Sequence, residues 1–293
     1  MRMESLLRTG ALAGAIMIVF NVALTAQERD TKEPIVRVTK NIDARPADAI
    51  KPNTRHPLDP ALRLAQRGLD HLDKDVVDYT ATLVRRERID GLLKEAEFSK
   101  IKVRNPRVDE QGNETPFSIY MGFTKPAVVN GRECIYVEGQ NDNKLIAHEA
   151  GAIIGRITVH LDPDGSMAMK GNRYPIYMAG LRNLIVKLLE KGNRDRQRDE
   201  CEVKFFKGAK IDGRTCTVMQ VVHPEKRDYF DFHKVQIFID DELQLPIRYA
   251  SWSWPGADGK PVLEEEYTYV NLKLNVGLTD MDFSPTNPEY NFK

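Results

Sequence analysis

Residues 78–91 read DYTATLVRRERIDG, and this segment indicates what kind of fold to expect. Asp78 to Ile89 is rich in threonine, valine and tyrosine, which favour β-strands, and Gly91 then interrupts the run. Similar short segments recur along the chain. They predict further strands at Phe98–Val103, Phe117–Phe123, Cys134–Glu138, Lys144–Glu149, Ile157–Leu161, Glu202–Lys207, Thr215–His223, Lys234–Asp240, Pro246–Trp254 and Glu264–Asn271.

Turn signals between these segments indicate how the strands are connected. Asn130-Gly131 and Asp212-Gly213 each separate two predicted strands, and Asp-Gly in such a place is a strong hairpin signal. Strands joined by short turns pair in antiparallel fashion, and a long antiparallel sheet twists and usually curls. The sequence therefore predicts a curved antiparallel sheet.

Two amphipathic helices are predicted to accompany the sheet. The first has Asp59 as its N-cap, Pro60 as its first helical residue and its end near Lys74. Its apolar stripe comprises Leu58, Leu62, Ala65, Leu69 and Leu72. The second runs from Pro175 to Gly192, and its apolar face comprises Ile176, Ala179, Leu184 and Leu188. We expect an α+β domain whose helices lie on the concave side of the sheet, around either a filled core or an apolar cavity.

The N-terminal residues have the layout of an export signal. Arg2 and Arg8 form a short basic region, and the apolar stretch from Gly10 to Ala26 ends abruptly at charged residues. Residues 1–26 are therefore predicted to be a signal peptide or, alternatively, an uncleaved anchor. Residues 27–57 are polar and interrupted by prolines, which predicts a flexible linker before a single domain over residues 58–293. The expected location is periplasmic or secreted, either free or tethered by the N-terminal segment.

Charge and cysteine content narrow the classes of partner. Lys+Arg and Asp+Glu number 43 each, so the chain lacks the basic surplus that nucleic-acid binding requires, and no nucleic-acid partner is expected. The spacing of Cys134, Cys201 and Cys216 matches no zinc or redox motif. In an exported protein these residues would form either one disulfide and one thiol, or three buried thiols.

Several segments share their residues, order and spacing with a known family. They are Asp78–Gly91, Pro116–Met121, Gly131–Gly139 with Lys144–His148, and Asp282–Tyr290. This pattern resembles a bacterial family of unknown function, the domain-of-unknown-function family fifteen-seventy-one. That family is similar to the periplasmic outer-membrane lipoprotein carrier, a half-barrel with helices over a hydrophobic concave face. The resemblance implies a lipoprotein-carrier-like half-barrel and, by analogy, a lipid or acyl-chain ligand, and it supplies no catalytic residues.

No catalytic, metal or cofactor site is predicted. His148-Glu149 begins a zinc-binding motif, but Ala152 stands where the second histidine is required. His148 and His160 would form a metal or acid–base pair if they faced one another across adjacent strands. Solvent-exposed strand ends are the favoured interpretation of these two histidines.

Two charged runs each allow a functional and a structural interpretation. Glu264–Glu266 would bind a cation or form the solvated start of a strand. Arg85–Arg88 would recognise an anionic headgroup, since arginine makes forked contacts with phosphate, or form a self-paired surface. The structural interpretation is favoured for both runs.

Aromatic and methionine residues are the candidates for lining a ligand cavity, because methionine adapts to irregular apolar shapes. The candidates are Phe117, Tyr120, Met121, Phe123, Met167, Met169, Met178, Trp252 and Trp254. Two functions remain open on this basis. The first is a non-catalytic exported protein that binds a lipid or a lipoprotein acyl chain. The second is an envelope protein with a filled core that acts through a protein partner.

Overall fold

The computed structural model describes residues 55–149 and 157–292. The predicted signal peptide and residues 27–54 of the predicted linker lie outside the described residues. His56, at the end of that linker, is buried, and its Nε2 atom lies 2.9 Å from the carbonyl oxygen of Arg198. The packed domain therefore includes the last residues that the sequence assigned to the linker.

The described residues form three α-helices and fourteen strands. The helices are α1 (Asp59–Asp75), α2 (Ser166–Met169) and α3 (Leu181–Asp195). The strands are β1 (Asp78–Ile89), β2 (Leu92–Leu93), β3 (Glu97–Arg104), β4 (Arg107–Val108), β5 (Glu114–Thr115), β6 (Ser118–Lys125), β7 (Glu133–Val137), β8 (Leu145–His148), β9 (Thr158–Leu161), β10 (Glu202–Ile211), β11 (Arg214–Val222), β12 (Lys234–Asp240), β13 (Pro246–Ser253) and β14 (Val262–Leu274). The predicted strands are confirmed, with ends that differ by a few residues.

One open antiparallel sheet dominates the described part of the chain. Its strand order is β10-β11-β12-β13-β14-β1-β3-β6-β7-β8-β9, with β2 paired to β1, while β4 and β5 form a separate hairpin. Neighbours along this order are antiparallel, as the turn signals predicted. At the junction of β10 and β11, Asp212 and Gly213 both have positive φ, as a two-residue hairpin turn requires.

The curvature of the sheet follows from the side chains that share one cavity. Val159 on β9 and Tyr249 on β13 both line a cavity of about 630 Å³, although these strands stand far apart in the strand order. In a flat sheet with a strand spacing of about 4.8 Å, they would lie about 34 Å apart, roughly three times the diameter of a sphere of that volume. The sheet therefore curls around the cavity, and the predicted fold class is confirmed.

Helices α1 and α3 pack against each other on the concave side of the sheet. Leu58 and Leu72 of the predicted α1 stripe are buried, and the other three stripe residues pack against the same apolar clusters. From α3, Leu181 and Ile185 are fully buried with strand residues such as Ile119. Burial against the sheet, rather than intrinsic propensity, is the main source of stability for helices of this kind.

Helix α3 begins later than the sequence predicted. Pro175 precedes a single 3₁₀ turn, and the chain then passes through Gly180 with a φ of 100° before the helix starts at Leu181. The backbone N–H of Leu181 donates to the hydroxyl of Tyr79 at 2.8 Å, which satisfies one of the free donors of the helix start. A residue with a Cβ is disfavoured at position 180, because that φ suits glycine and the Cβ would lie 3.0 Å from the Tyr79 hydroxyl.

The C-terminal residues cover part of the convex side of the sheet. Asp78 anchors this segment, because its carboxylate accepts backbone N–H groups of Val276 at 2.7 Å and Leu278 at 2.8 Å. Farther along, Tyr290 stacks on Tyr120 with ring centroids 4.0 Å apart, and Phe283 is buried in the same cluster. The apolar side chains that β6 and β7 turn outward are therefore shielded from water.

The three cysteines are free thiols, with Cys216 buried and Cys134 and Cys201 half-buried. This arrangement agrees with the alternative that has no disulfide. Among the described residues, no helix has the length and apolar character that a transmembrane span requires.

A buried histidine makes a prediction about acid stability. His223 is fully buried, and its ring stacks on that of Phe230 with centroids 3.8 Å apart. Burial lowers the pKa of His223 below the ordinary value of 6.5, although the Asp195 carboxylate, 3.6 Å from its Nε2 atom, acts in the opposite direction. As the pH falls below about 6.5 the unfolded chain takes up a proton more readily than the folded one, so stability is lost. Urea unfolding from about pH 8 to about pH 5 is expected to show a steeper loss for the native protein than for His223→Gln. An equal loss of stability with falling pH in the native protein and in His223→Gln would contradict this role of His223.

Candidate ligand-binding cavity

The cavity of about 630 Å³ lies between the concave face of the sheet and helix α3. Its walls come from β1, β6, β7, β8, β9, β13 and β14, from residues 163–180, and from α3. Apolar side chains dominate the walls, because the alternation along each strand points its apolar residues inward. The cavity is thus a product of sheet curvature and of the helix that spans it.

Four of the sequence-predicted candidates lie on the cavity wall. Met121 and Phe123 point inward from β6, where they are two residues apart and so share a face. Met178 lies on the segment before α3, and Met167 lies on α2 with 71% of its surface exposed. The structure therefore brings together methionines from two sides of the cavity, with Met167 at a solvent-exposed position.

The other five candidates lie outside the cavity wall. Phe117 is buried in the core, and Tyr120 points to the convex side, where it stacks on Tyr290. Met169 shares α2 with Met167 but not its direction, because two residues along a helix differ by about 200°. The tryptophans pack elsewhere, with Trp252 under the Lys234 ammonium group at 4.2 Å and Trp254 beside His233.

Many wall residues were not among the sequence-based candidates. Those that recur on alternate positions of a strand or on one helix face are Leu83, Leu145, Ala147, Val159, Leu161, Leu184, Leu188, Tyr267 and Tyr269. Their periodicity was visible in the sequence, but periodicity alone does not separate a cavity wall from a filled core. The wall also includes charged residues of β1 that the apolar pattern did not point to.

Charged side chains of β1 alternate between the two faces of the sheet. Arg85 points into the cavity, with its Nη2 atom 2.6 Å from Glu97 Oε2 and 2.7 Å from Asn172 Oδ1. Arg86 and Arg88 point to the other face and pair with glutamates of β14. The interpretation of Arg85–Arg88 as a self-paired surface is therefore wrong, because its partners come from β3, β14 and residue 172.

A cluster of tyrosine and glutamate side chains forms the polar part of the wall. Tyr267 donates its hydroxyl to Glu87 Oε1 at 2.6 Å, and Tyr249 donates to Glu265 Oε1 at 3.2 Å. Arg173 closes the cluster, with its Nε atom 3.1 Å from Glu265 Oε2. Burial, reinforced by the Glu265 carboxylate, raises the pKa of both tyrosines far above the ordinary value, so both phenols remain protonated donors.

Two of the three glutamates in the run on β14 are buried rather than solvated. Glu265 and Glu266 are 3% and 8% exposed, and arginine, tyrosine or serine side chains hold their carboxylates. The prediction of a solvated strand start is therefore wrong. Sequence alternation alone did not show that partners on β1 and β13 would reach these carboxylates.

Cys134 and His148 are among the residues that line the cavity. Burial raises the pKa of the Cys134 thiol to about 12, which leaves it a weak nucleophile at neutral pH. His148 lies opposite Thr158 rather than His160, so these histidines do not form the cross-strand pair considered above. His148 is also buried, so the favoured interpretation of a solvent-exposed strand end is wrong for this residue. Among the described residues, no group of three or more His, Cys, Asp or Glu side chains is placed to hold a metal ion.

The fold and the cavity define the class of protein: an open, curled antiparallel sheet with an apolar cavity between its concave face and helix α3. Within this class, the chain belongs to the family described as "Protein of unknown function (DUF1571)", whose model matches residues 76–292. The family resemblance predicted from the sequence is thereby confirmed. No curated protein matches the chain.

Several solved structures have a partial likeness to this chain. A putative outer membrane lipoprotein-sorting protein domain from Vibrio parahaemolyticus has 11% identity and a TM-score of 0.36, with 76% of this chain and 95% of that chain covered. A LolA superfamily protein from Nitrosomonas europaea has 10% identity and a TM-score of 0.29, covering 76% and 97%. The Pseudomonas aeruginosa MucA/MucB complex has 14% identity and a TM-score of 0.41, covering 77% and 60%. Because these identities and TM-scores are low, the role of the cavity has to be inferred from the residues that line it.

Proposed function

We propose that the protein is a non-catalytic exported binding protein that holds the apolar chain of a lipid or a lipoprotein in its concave cavity. The observation that carries the proposal is the apolar cavity of about 630 Å³ between the sheet and α3. This volume falls within the range of roughly 300–1,000 Å³ that is typical of small-molecule sites. The signal-like N-terminal segment supports export.

The composition of the wall suits an acyl chain. Leucine, valine and methionine side chains offer dispersion contacts without demanding hydrogen bonds, and an apolar chain makes none. Met121, Met167 and Met178 add side chains that adapt to chains of different shape. The shape and the apolar surface of the wall support a binding role.

The alternative of a filled core fits the structure less well. A filled core would place the concave side chains in contact with each other, whereas β9 and β13 face a shared space. Large exposed apolar side chains include Ile157 and Met167, and these two lie on the cavity wall. The exposed apolar surface there is accordingly assigned to the cavity and not to a separate docking patch.

Filling the cavity is expected to abolish ligand binding while leaving the fold intact. Ala147 lies on β8 between Cys134 and Val159 and lines the cavity, so Ala147→Phe places an aromatic ring in the space that an acyl chain would occupy. We expect affinity for a fluorescent fatty acid to fall at least about tenfold, a change of about 1.4 kcal/mol.

The matched control is Ala257→Phe, which adds the same ring at an exposed position between β13 and β14. This variant is expected to bind like the native protein. Circular dichroism checks that both variants are folded. Undiminished fatty-acid binding by folded Ala147→Phe would place the ligand elsewhere and contradict the proposal.

A further inference from the structure

A second cavity, of about 510 Å³, adjoins the apolar one along helix α3. Lys187, Lys191, Tyr249 and Glu265 line both cavities, so the two spaces meet at a shared wall. The character of the lining changes across that wall, because the second cavity is bordered mainly by charged and hydroxyl-bearing side chains. An apolar chain and a polar group joined to it would therefore each meet a matching environment.

The cations of the second cavity form an ordered array. Lys187, Lys191 and Arg194 lie four and then three residues apart on α3, which places them along one face of the helix. Arg173 joins them from the segment before α3. These four cations share the wall with three anions, Glu190, Asp231 and Glu265, and two further carboxylates, Glu264 and Asp195, pair with Arg173 and Arg194 from outside the lining.

The pairing within this cavity leaves cations available to a ligand. The Nζ atom of Lys187 lies 2.8 Å from Glu190 Oε2, but these side chains are 44% and 63% exposed, so the pair contributes little and exchanges readily. Lys191 and Arg194 share one oxygen, Asp231 Oδ2, at 3.0 and 3.1 Å. Arg194 also pairs with Asp195 at 3.0 Å, so the cations open to an additional anionic oxygen are Lys187 and Lys191, whose carboxylate partners are both partly exposed.

We propose that this polar cavity receives the anionic head, a carboxylate or phosphate, of an amphiphile whose apolar chain lies in the adjoining cavity. The inference rests on the proposed function and adds the chemical class of the ligand. The lysines of α3 would contact the head through charge-assisted hydrogen bonds, which are about twice as strong as neutral ones. The ligand would then be an anionic lipid-like molecule rather than a neutral one.

Competition between matched ligands tests this inference. A fluorescent long-chain alcohol serves as an uncharged reporter of the apolar cavity, and palmitate, cetyl alcohol and acetate compete for it. Palmitate and cetyl alcohol share a chain and differ in the head, whereas acetate has the head without the chain. We expect palmitate to bind at least about tenfold more tightly than cetyl alcohol, and acetate not to displace the reporter.

The charge of α3 is tested in the same assay. Lys187→Gln combined with Lys191→Gln is expected to lower the ratio of palmitate affinity to cetyl alcohol affinity about tenfold. Arg194 still pairs with Asp231 in this double variant. Lys187→Gln alone changes one partly exposed side chain and is expected to lower the preference by a smaller factor. Lys100→Gln, an exposed lysine on β3, is the control and is expected to keep the full preference.

The outcomes separate this inference from the proposed function. Equal binding of palmitate and cetyl alcohol, or a preference that survives the loss of both lysines, would overturn the inference and leave the apolar-chain function standing. Displacement of the reporter by acetate would assign the polar cavity to free small anions and would also overturn it. Binding of neither long-chain ligand would defeat the proposed function itself.

Discussion

Replacing Glu266 with alanine is expected to lower the free energy of unfolding by about 3–5 kcal/mol, among the largest effects of a single substitution in this protein. Glu266 is 8% exposed and holds two arginines, with Arg86 Nε at 2.8 Å and Arg248 Nη2 at 2.5 Å. The arginine side chains are themselves only 18% and 14% exposed. Removing the carboxylate leaves two largely buried positive charges side by side without their shared partner.

Urea unfolding of Glu266→Ala and Glu202→Ala provides the comparison. Glu202 lies on the edge strand β10, and its pair with Lys204 is more than half exposed on both sides, so its loss is expected to change stability by no more than about 0.5 kcal/mol. A loss below about 1 kcal/mol for Glu266→Ala would show that water reaches these arginines. The buried ion-pair network across β1, β13 and β14 would then be incorrect.

Leu72→Ala is expected to cost about 3–5 kcal/mol, the range found for fully buried leucines that leave a cavity. Leu72 is completely buried where α1 packs on the concave side of the sheet. The lost methyl groups come from the interface that holds α1 in place, and the strands beneath cannot move in to fill the gap. The same urea titration measures this loss.

Leu92→Ala makes the identical substitution at an exposed position. Leu92 is 66% exposed on the short strand β2, so its replacement is expected to change stability by about 0.5 kcal/mol or less. Similar costs at positions 72 and 92 would mean that α1 does not pack on the sheet as described. The walls of both cavities would then have to be revised, because α3 packs against α1.

The sheet and the first helix were predictable from local patterns in the sequence. Asp78 to Ile89 forms a strand with the predicted bounds, and Asp212-Gly213 forms a hairpin turn, because both signals act over a few residues. The α1 stripe was equally visible, since leucines at helical spacing must be buried against some partner. The family pattern added the order of elements along the chain.

Features that depend on distant partners were not predictable in this way. Glu265 and Glu266 lie in a run that is usually solvated, and the arginine and tyrosine partners that allow their burial come from β1, from β13 and from Arg173. Met167 and Met169 would share a face on a strand, but the chain forms a helical turn there and separates them. Gly180 delays the start of α3 because its backbone fits against Tyr79, a residue far away in sequence.

The existence of a cavity was the least predictable feature. Alternating apolar residues on β1, β6 and β8 are compatible with a packed core or with an open wall, and curvature of the whole sheet decides between them. The side chains that line the space come from strands far apart in the chain. Local periodicity contains no information about how far such strands curl around a common centre.

Mass spectrometry of the protein, purified from an envelope fraction without harsh detergent, tests the central claim most directly. Native spectra and solvent extracts are expected to show one lipid or acyl-chain molecule per protein chain, and the same preparation of Ala147→Phe is expected to lack it. A native protein that carries no lipid, and that also fails to bind a fluorescent fatty acid, would contradict the account of the cavity as a lipid site.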